Sequence, residues 1–178
     1  MAAILVSCTI RSASLADTFR LTAFGRRVFV ATFAPDNDAA QLASYVDTAY
    51  LPEAQAAELT DSAITTLLAC DDDDAIIGFA QVRLGPPPPP CVTDLSAVEL
   101  WRFYVDPAWH GRGVAATLMD AASETARSAG ARTVWLRVWE RNLRAQAFYR
   151  KRGFVPVGTQ LFMFGTEPQT DQIWTRGL

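Results

Sequence analysis

One glycine-rich junction constrains the fold of this 178-residue chain more than any other feature of its sequence. The stretch Val105–Ala121 reads VDPAWHGRGVAATLMDA, with the strand-like run SAVELWRFYV before the glycines and a helix-like run after them. Glycine permits a tight turn and a close approach of the backbone to a ligand, and the first turn of a helix leaves N–H groups without partners. Because the helix dipole adds positive potential there, the junction predicts an anion-binding site.

The composition indicates one ordinary globular domain, expected to cover residues 1–178. Half of the residues are apolar and the net charge is −3, so there is no basic field that would attract nucleic acid or an anionic membrane. The single histidine, His110, excludes a histidine-rich metal site, and no metal is expected.

The cysteines and the start of the chain predict a cytoplasmic protein. Cys8, Cys70 and Cys91 are widely spaced and form no C-x-x-C motif, which fits a reduced compartment better than a disulfide framework. The opening MAAILVSCTIRSASL lacks the basic segment of a signal peptide and is interpreted as a first strand. No apolar run approaches the length of about 18 residues that a membrane-spanning helix needs.

Periodicity along the chain predicts alternating strands and helices. Strands are expected at Ala3–Arg11, Ile64–Cys70, Ala75–Arg83, SAVELWRFYV, ARTVWLRVW, about Val155–Phe164 and Gln172–Arg176. Helices are expected from a cap at Ser12 or Ser14 to about Phe33, over PDNDAAQLASYVDTAY, over PEAQAAEL, after the glycine junction, and over RNLRAQAFYRKRGF up to Gly153. The run DDDD is expected to be a solvated hairpin turn, and Gly85–Pro90 a stiff surface loop. This order indicates an α/β (α+β) fold, with a mixed sheet of six to seven strands and helices on both faces.

A dinucleotide-binding turn is the first alternative for the junction. The letters GRGVAA match G-x-G-x-x-[GA], and Glu140 lies downstream near a strand end. In dinucleotide folds, however, the first glycine follows the strand almost directly, whereas DPAWH intervenes here. Too little chain remains after Glu140 to complete a doubly wound sheet. A dinucleotide-dependent oxidoreductase is therefore the disfavoured interpretation.

Two motifs in the second half of the chain resemble those of the GNAT N-acetyltransferase superfamily. His110–Ala115 resembles its acyl-CoA signature Q/R-x-x-G-x-G/A, with histidine in place of the usual glutamine or arginine. The stretch NLRAQAFYRKRGF resembles its second motif at Asn142, Ala145, Phe148, Tyr149, Gly153 and Phe154. The resemblance covers about residues 76 to 164. Within it, the sequence looks most like a bacterial polyamine-acetyltransferase-like branch. It implies a splayed sheet, acetyl-CoA as co-substrate and direct acetyl transfer to an amine.

The resemblance also implies roles for individual residues. The cofactor-binding residues that it implies are Tyr104, Val105, His110, Gly111, Arg112, Gly113, Val114, Ala115, Asn142 and Tyr149. Tyr149 stands where the family places its general acid, since a phenol can protonate a departing thiolate within hydrogen-bond reach. The alternative is that Tyr149 only packs with Phe148 on the apolar side of its helix. Asn142 is expected to cap that helix, with or without a contact to the cofactor.

Glu99 is the candidate general base. It lies eleven residues before His110, where several members of the family carry a catalytic glutamate. A carboxylate on so apolar a strand is costly to bury unless it is paired or functional. The alternative is a salt bridge, for instance with Arg102 or Arg137. Of the aromatic residues, Trp101 or Trp139 is expected near the substrate.

The sequence thus predicts an acetyl-CoA-dependent N-acetyltransferase that moves the acetyl group directly from the thioester to a small primary amine such as a polyamine. A non-catalytic acyl-CoA-binding regulatory module on the same fold is the alternative. Many members of the superfamily are homodimers, but nothing in the sequence specifies one. The acceptor cannot be read, because motif matching is poor in Leu15–Thr60 and after Arg83.

Overall fold

Seven strands form one mixed sheet in the structure, a computed structural model that describes residues 8–178. The strands are β1 (Thr9–Ser12), β2 (Ile64–Cys70), β3 (Ile76–Arg83), β4 (Val98–Val105), β5 (Thr133–Trp139), β6 (Val155–Phe164) and β7 (Glu167–Gly177). The helices are α1 (Thr18–Phe33), α2 (Ala39–Ala49), α3 (Pro52–Thr60), α4 (Val114–Ser128) and α5 (Leu143–Lys151). The strand order in the sheet is β1-β2-β3-β4-β5-β7-β6.

The sheet splays open between β4 and β5. These two strands run parallel and pair at only two positions, Val98 with Val134 and Glu99 with Trp135. Every other neighbouring pair of strands is antiparallel, and the β4 register against β3 shifts by one residue at Trp101. Such a bulge bends the strand that carries it, so β4 turns away from β5 beyond Glu99. The mixed, splayed sheet expected from the resemblance is confirmed.

Helices cover both faces of the sheet, as the sequence predicts. The face under α4 and α5 carries a core that includes Leu67, Ala80, Leu100, Leu118, Met119, Val138 and Tyr149. On the opposite face, α1 packs Leu21 and Phe24 against Leu68 and Phe79. A further cluster joins Phe29 of α1 to Leu42, Val46 and Tyr50 around α2 and to Phe164 of β6. Burying an apolar side chain of this size contributes about 1.5–3 kcal/mol, so these clusters hold the helices on the sheet.

Most predicted elements occur where the sequence places them, and the two ends of the chain differ. The described part of the predicted first strand begins at Thr9, and the part before Cys8 lies outside the described residues. The last strand begins at Glu167, five residues before the predicted Gln172. Residues 167–170 of this extra length pair with β6 alone, because β5 reaches only as far as Asp171. Such a two-stranded ribbon is largely exposed and has a polar sequence that hides the strand pattern.

The two predicted connections also occur. Asp71 closes the acidic hairpin turn, because its Oδ1 accepts hydrogen bonds from the N–H groups of Asp73 and Ala75 at 3.1 and 2.9 Å. The proline run forms a loop between β3 and β4 without helix or strand. Across residues 8–178, no helix combines the length and apolarity needed to cross a bilayer.

Candidate active site

A cleft of about 750 Å³ occupies the gap between β4 and β5. Phe33 of α1 lines it on one face of the sheet, and Tyr149 of α5 lines it on the other. Trp139, at the end of β5, lies between them, with its ring centroid 5.9 Å from that of Phe33. The cleft therefore passes through the sheet, and a ligand on one face can meet a ligand on the other.

The predicted glycine turn forms one wall of the cleft. Gly111 has φ +75° and Gly113, the N-cap of α4, has φ +90°, a region that residues with a Cβ rarely adopt. The first backbone bond of α4 runs from the N–H of Thr117 to the carbonyl of Gly113. Within the described residues, the N–H groups from 111 to 116 donate no backbone hydrogen bond. These free donors at a helix N-terminus are suited to hold an anion.

His110 links this turn to α5. Its Nε2 lies 3.0 Å from the carbonyl oxygen of Val105, and its Nδ1 lies 2.9 Å from Nη1 of Arg144. A carbonyl only accepts and a guanidinium only donates, so the imidazole is neutral, with its proton on Nε2. Burial lowers the pKa of His110, and the positive charge of Arg144 lowers it further. Both effects favour the neutral form. The ring thereby positions Arg144 beside the free N–H groups, and both residues line the cleft.

Tyr149 reaches the cleft from α5. Its side chain is 7% exposed and packs against the rings of Phe103, Phe148 and Phe154. Within residues 8–178 its hydroxyl makes no hydrogen bond, although the residue lines the cleft. Burial raises the pKa of Tyr149, so the phenol keeps its proton at neutral pH. Tyr149 therefore packs with Phe148, as the alternative predicted, and also presents a hydroxyl that is available to a ligand.

Some of the other cofactor-binding candidates line the cleft, and some do not. The cleft is lined by Tyr104, Val105, His110, Gly111, Gly113, Ala115, Asn142 and Tyr149. Asn142 also caps α5, since its Oδ1 accepts from the N–H of Ala145 at 3.1 Å. Arg112 lies outside the lining, with its guanidinium 5.3 Å from the ring centroid of Trp109. Val114 buries its side chain in the core, so only its N–H is available to the turn.

Glu99 is 1% exposed and does not line the cleft. Its Oε2 accepts from Nε and Nη2 of Arg83 at 2.9 and 2.5 Å, and its Oε1 accepts from Nη2 of Arg137 at 3.0 Å. The salt bridge with Arg137, which the sequence left open, is therefore present, and Arg83 joins it. Arg102 pairs with Glu58 instead. Both oxygens of Glu99 are engaged and it has no surface in the cleft, so it does not contact a ligand there directly, and its role as general base stays a prediction.

Trp101 and Trp139 both line the cleft, as do Trp109 and Phe103. Sequence reasoning passed over Arg83 as a candidate for function and ranked Trp135 below Trp101 and Trp139. Arg83 follows an apolar strand and reads as its solvated end, while Trp135 lies within a continuous apolar run. The charge of Glu99 within its own strand was the one available signal for Arg83, because a buried carboxylate needs a cation.

The splayed sheet, the glycine turn before α4 and the tyrosine of α5 together define an acetyltransferase. The family model described as "Acetyltransferase (GNAT) family" matches residues 36–154, which is more than half of the chain. This chain therefore belongs to the GNAT family of N-acetyltransferases.

Relatives and solved structures agree with this family. The chain is 35% identical over 164 residues to an uncharacterized N-acetyltransferase of Mycobacterium tuberculosis (strain ATCC 25618 / H37Rv), covering 92% of this chain and 99% of the relative. It is 32% identical over 97 residues to a mycothiol acetyltransferase of Beutenbergia cavernae, covering 54% of this chain and 30% of the relative. The PaiA N-acetyltransferase of Thermoplasma acidophilum, solved in complex with coenzyme A, has a TM-score of 0.81 and 24% identity over 97% of this chain and 100% of its own. That identity supports likeness of fold.

Proposed function

We propose that this chain transfers an acetyl group from acetyl-CoA directly to a small primary amine. One observation carries the proposal: the free N–H groups of the glycine turn and the unpaired hydroxyl of Tyr149 line the same cleft. The first can hold a diphosphate and the second can protonate a thiolate, and CoA thioester chemistry needs both. The coenzyme A held by the Thermoplasma relative supports this choice of co-substrate.

The residues proposed to hold acetyl-CoA lie along β4, the glycine turn and α5. The N–H groups of 111 to 116 and the guanidinium of Arg144 would bind the diphosphate. The backbone at Tyr104 and Val105, where β4 has left β5, would bond the pantetheine amides or polarise the thioester carbonyl. Acetyl-CoA supplies an activated acetyl group, and the protein supplies its position. Asn142 contributes by fixing the start of α5.

The proposed transfer needs no acetylated enzyme. The ammonium group of the acceptor first loses a proton to water in the cleft. The amine lone pair then forms a bond to the thioester carbonyl carbon, and the C–S bond breaks with its electron pair on sulfur. Tyr149 gives its phenolic proton to that sulfur and regains one from the nitrogen through solvent. Phe103 and Phe148 hold the ring of Tyr149 for this step.

For Glu99 we propose an indirect role. Arg83 and Arg137 occupy its two oxygens, and it lies outside the cleft lining, so it acts on the acceptor through the position of Arg137, which does line the cleft. The polyamine expected from the resemblance stays a prediction about the acceptor. The relatives do not decide it, because their names include acceptors as different as mycothiol and aminoglycosides.

Release of free CoA thiol from acetyl-CoA in the presence of an amine panel tests the proposal. The panel contains spermidine, n-alkylamines and ω-aminoalkanoates. We expect Tyr149→Phe to lower kcat by about 10²–10⁴-fold, the usual contribution of a general acid, while CoA affinity stays unchanged. Tyr45→Phe is the matched control, because Tyr45 lies in the aromatic cluster of α2 outside the cleft lining.

Two results would contradict the proposal. If the wild-type protein binds CoA but no amine releases thiol, the chain is the non-catalytic acyl-CoA-binding module that the sequence left as the alternative. If Tyr149→Phe keeps the wild-type kcat with a good acceptor, Tyr149 has only the packing role.

A further inference from the structure

A second cavity, of about 590 Å³, lies under the proline loop. Its floor is made by Arg83 of β3, by Trp135 and Arg137 of β5, and by residues 158–160 of β6. The loop forms the opposite wall through Pro86, Pro87, Pro89, Pro90 and Cys91. Consecutive prolines have a fixed φ, so this wall is stiff. Nothing in the proposed acetyl transfer uses this cavity.

The loop is seated closely on β6. A Cβ added at Gly158 would lie 2.7 Å from Sγ of Cys91, nearer than side chains approach one another. Glycine at this position therefore lets the loop reach the strand. Beneath the loop, Val92, Trp135 and Ile173 form a small buried cluster that holds it in place. The cavity is thus a built space between a rigid loop and the sheet.

The two guanidinium groups that line this cavity keep open hydrogen-bond donors. Glu99 takes Nε and Nη2 of Arg83 and Nη2 of Arg137. In the described part of the chain, Nη1 of Arg83 and both Nε and Nη1 of Arg137 donate to no protein group. Trp135 is 4% exposed, and its Nε1 is buried without a partner in residues 8–178. Among residues 8–178, no carboxylate lines the cavity.

Donors without acceptors favour an anionic ligand over a cationic one. A guanidinium with open N–H groups binds a carboxylate by charge-assisted hydrogen bonds. Asp171, cross-strand from Gln160, is an acid close to Arg137, but it lies outside the lining. Burial raises the pKa of Asp171 against the opposing charge of Arg137. The open donors of Arg83 and Arg137, and not the net charge of the cavity, therefore favour a carboxylate ligand.

Arg137 lines both this cavity and the cleft that contains Tyr149. The two spaces thus adjoin at the Arg137 side chain, and the inference requires a molecule that passes it, with one end beside the thioester and the other under the proline loop. We propose that the cavity binds a carboxylate of the acceptor, so that the acceptor is a primary amine that carries a carboxylate group. This inference rests on the proposed acetyl transfer, and it names a class of acceptor different from a polyamine.

The test compares ω-aminoalkanoates with n-alkylamines of the same chain length, in thiol release with the full-length protein. We expect a KM about tenfold lower or more for the carboxylate member at the length that spans the two sites, as a charge-assisted hydrogen bond gives. Gln160→Glu places a negative charge at the cavity and is expected to remove this preference. Leu161→Glu adds the same charge at the next residue of β6, outside the lining, and is expected to retain it.

A binding arm separates this inference from the proposed function. Hexanoate is titrated against wild-type protein, Gln160→Glu and Leu161→Glu by tryptophan fluorescence, with hexanamide as the uncharged control of the same chain length. Saturable change in the wild type and in Leu161→Glu but not in Gln160→Glu supports the carboxylate site, even if no amine is acetylated. If amines are acetylated with equal KM with and without the carboxylate at every length, or if spermidine is preferred and hexanoate does not bind, the inference is overturned and acetyl transfer stands. If hexanoate does not bind and no amine reacts, both are overturned.

Discussion

At the scale of single residues, His110 is the substitution within the acyl-CoA signature, and the structure gives it a defined task. Its ring joins the end of β4 to α5 through Val105 and Arg144. Glutamine or arginine at this position has no titration near neutral pH, whereas histidine does. The groups that face the ring are Arg144, which opposes its protonation, and Asp106, which favours it.

We expect this contact to make CoA binding depend on pH. Burial and Arg144 hold the pKa of His110 below its ordinary value of 6.5. The neutral ring and its bond from Arg144 are therefore present above that pKa, and protonation of Nδ1 as pH falls through it replaces an acceptor by a donor facing a cation. The Kd for CoA should rise about tenfold on acidification, the effect of one charge-assisted hydrogen bond. His110→Gln should lose this pH dependence.

Calorimetric titration of CoA between about pH 5 and 8 checks this expectation for both proteins. Asp72→Asn is a suitable control, because Asp72 is exposed in the acidic hairpin turn and lies outside the cleft lining. An equal change of Kd with pH in wild type and His110→Gln would show that another group titrates.

At the scale of secondary-structure elements, Glu99 ties three strands together at the point where the sheet divides. Arg83 belongs to β3, Glu99 to β4 and Arg137 to β5. Glu99 and its neighbour Val98 are also the two residues through which β4 pairs with β5. The ion pairs therefore stabilise the sheet at its narrowest backbone connection, and they hold Arg137 at the cleft.

Glu99→Gln should consequently affect stability as well as activity. It leaves two guanidinium groups short of their anion, and we expect the free energy of unfolding to fall by about 1–3 kcal/mol in urea titrations. Glu124→Gln removes an exposed ion pair with Arg127 and should change it by less than about 1 kcal/mol. If Glu99→Gln unfolds as the wild type does but loses activity through a changed pH profile, Glu99 acts as the general base after all.

Local patterns made most of these elements predictable. The acidic hairpin turn, the glycine turn and the cap at Asn142 depend on residues within a few positions of each other, so the sequence contains their whole cause. The partners of Glu99 were harder to predict, because the bulge at Trp101 decides which side chains share a face with Glu99. The open donors under the proline loop could not be predicted from the sequence, because they depend on the register of β3, β5 and β6 across the sheet.

At the scale of the whole molecule, the two faces of the sheet differ in chemistry. The α4–α5 face presents the free N–H groups of the glycine turn and the hydroxyl of Tyr149. The α1 face presents Phe33 and Trp139. Arg137 lines both the cleft and the cavity under the proline loop. The anion-binding and acceptor-binding functions proposed above are thus separated by the sheet and meet at the gap.

The opening between β4 and β5 has a consequence for the order of events in turnover. If acetyl-CoA and the amine enter from opposite faces, as proposed, neither blocks the approach of the other, and we expect both to occupy the enzyme before any product leaves. Initial velocities measured at several fixed concentrations of one substrate should give double-reciprocal lines that intersect, as a ternary complex requires. Parallel lines would mean that CoA departs before the amine arrives, with the acetyl group waiting on a side chain. The short pairing of β4 with β5 at Val98 and Glu99 would then shape the sheet without setting the order in which the substrates bind.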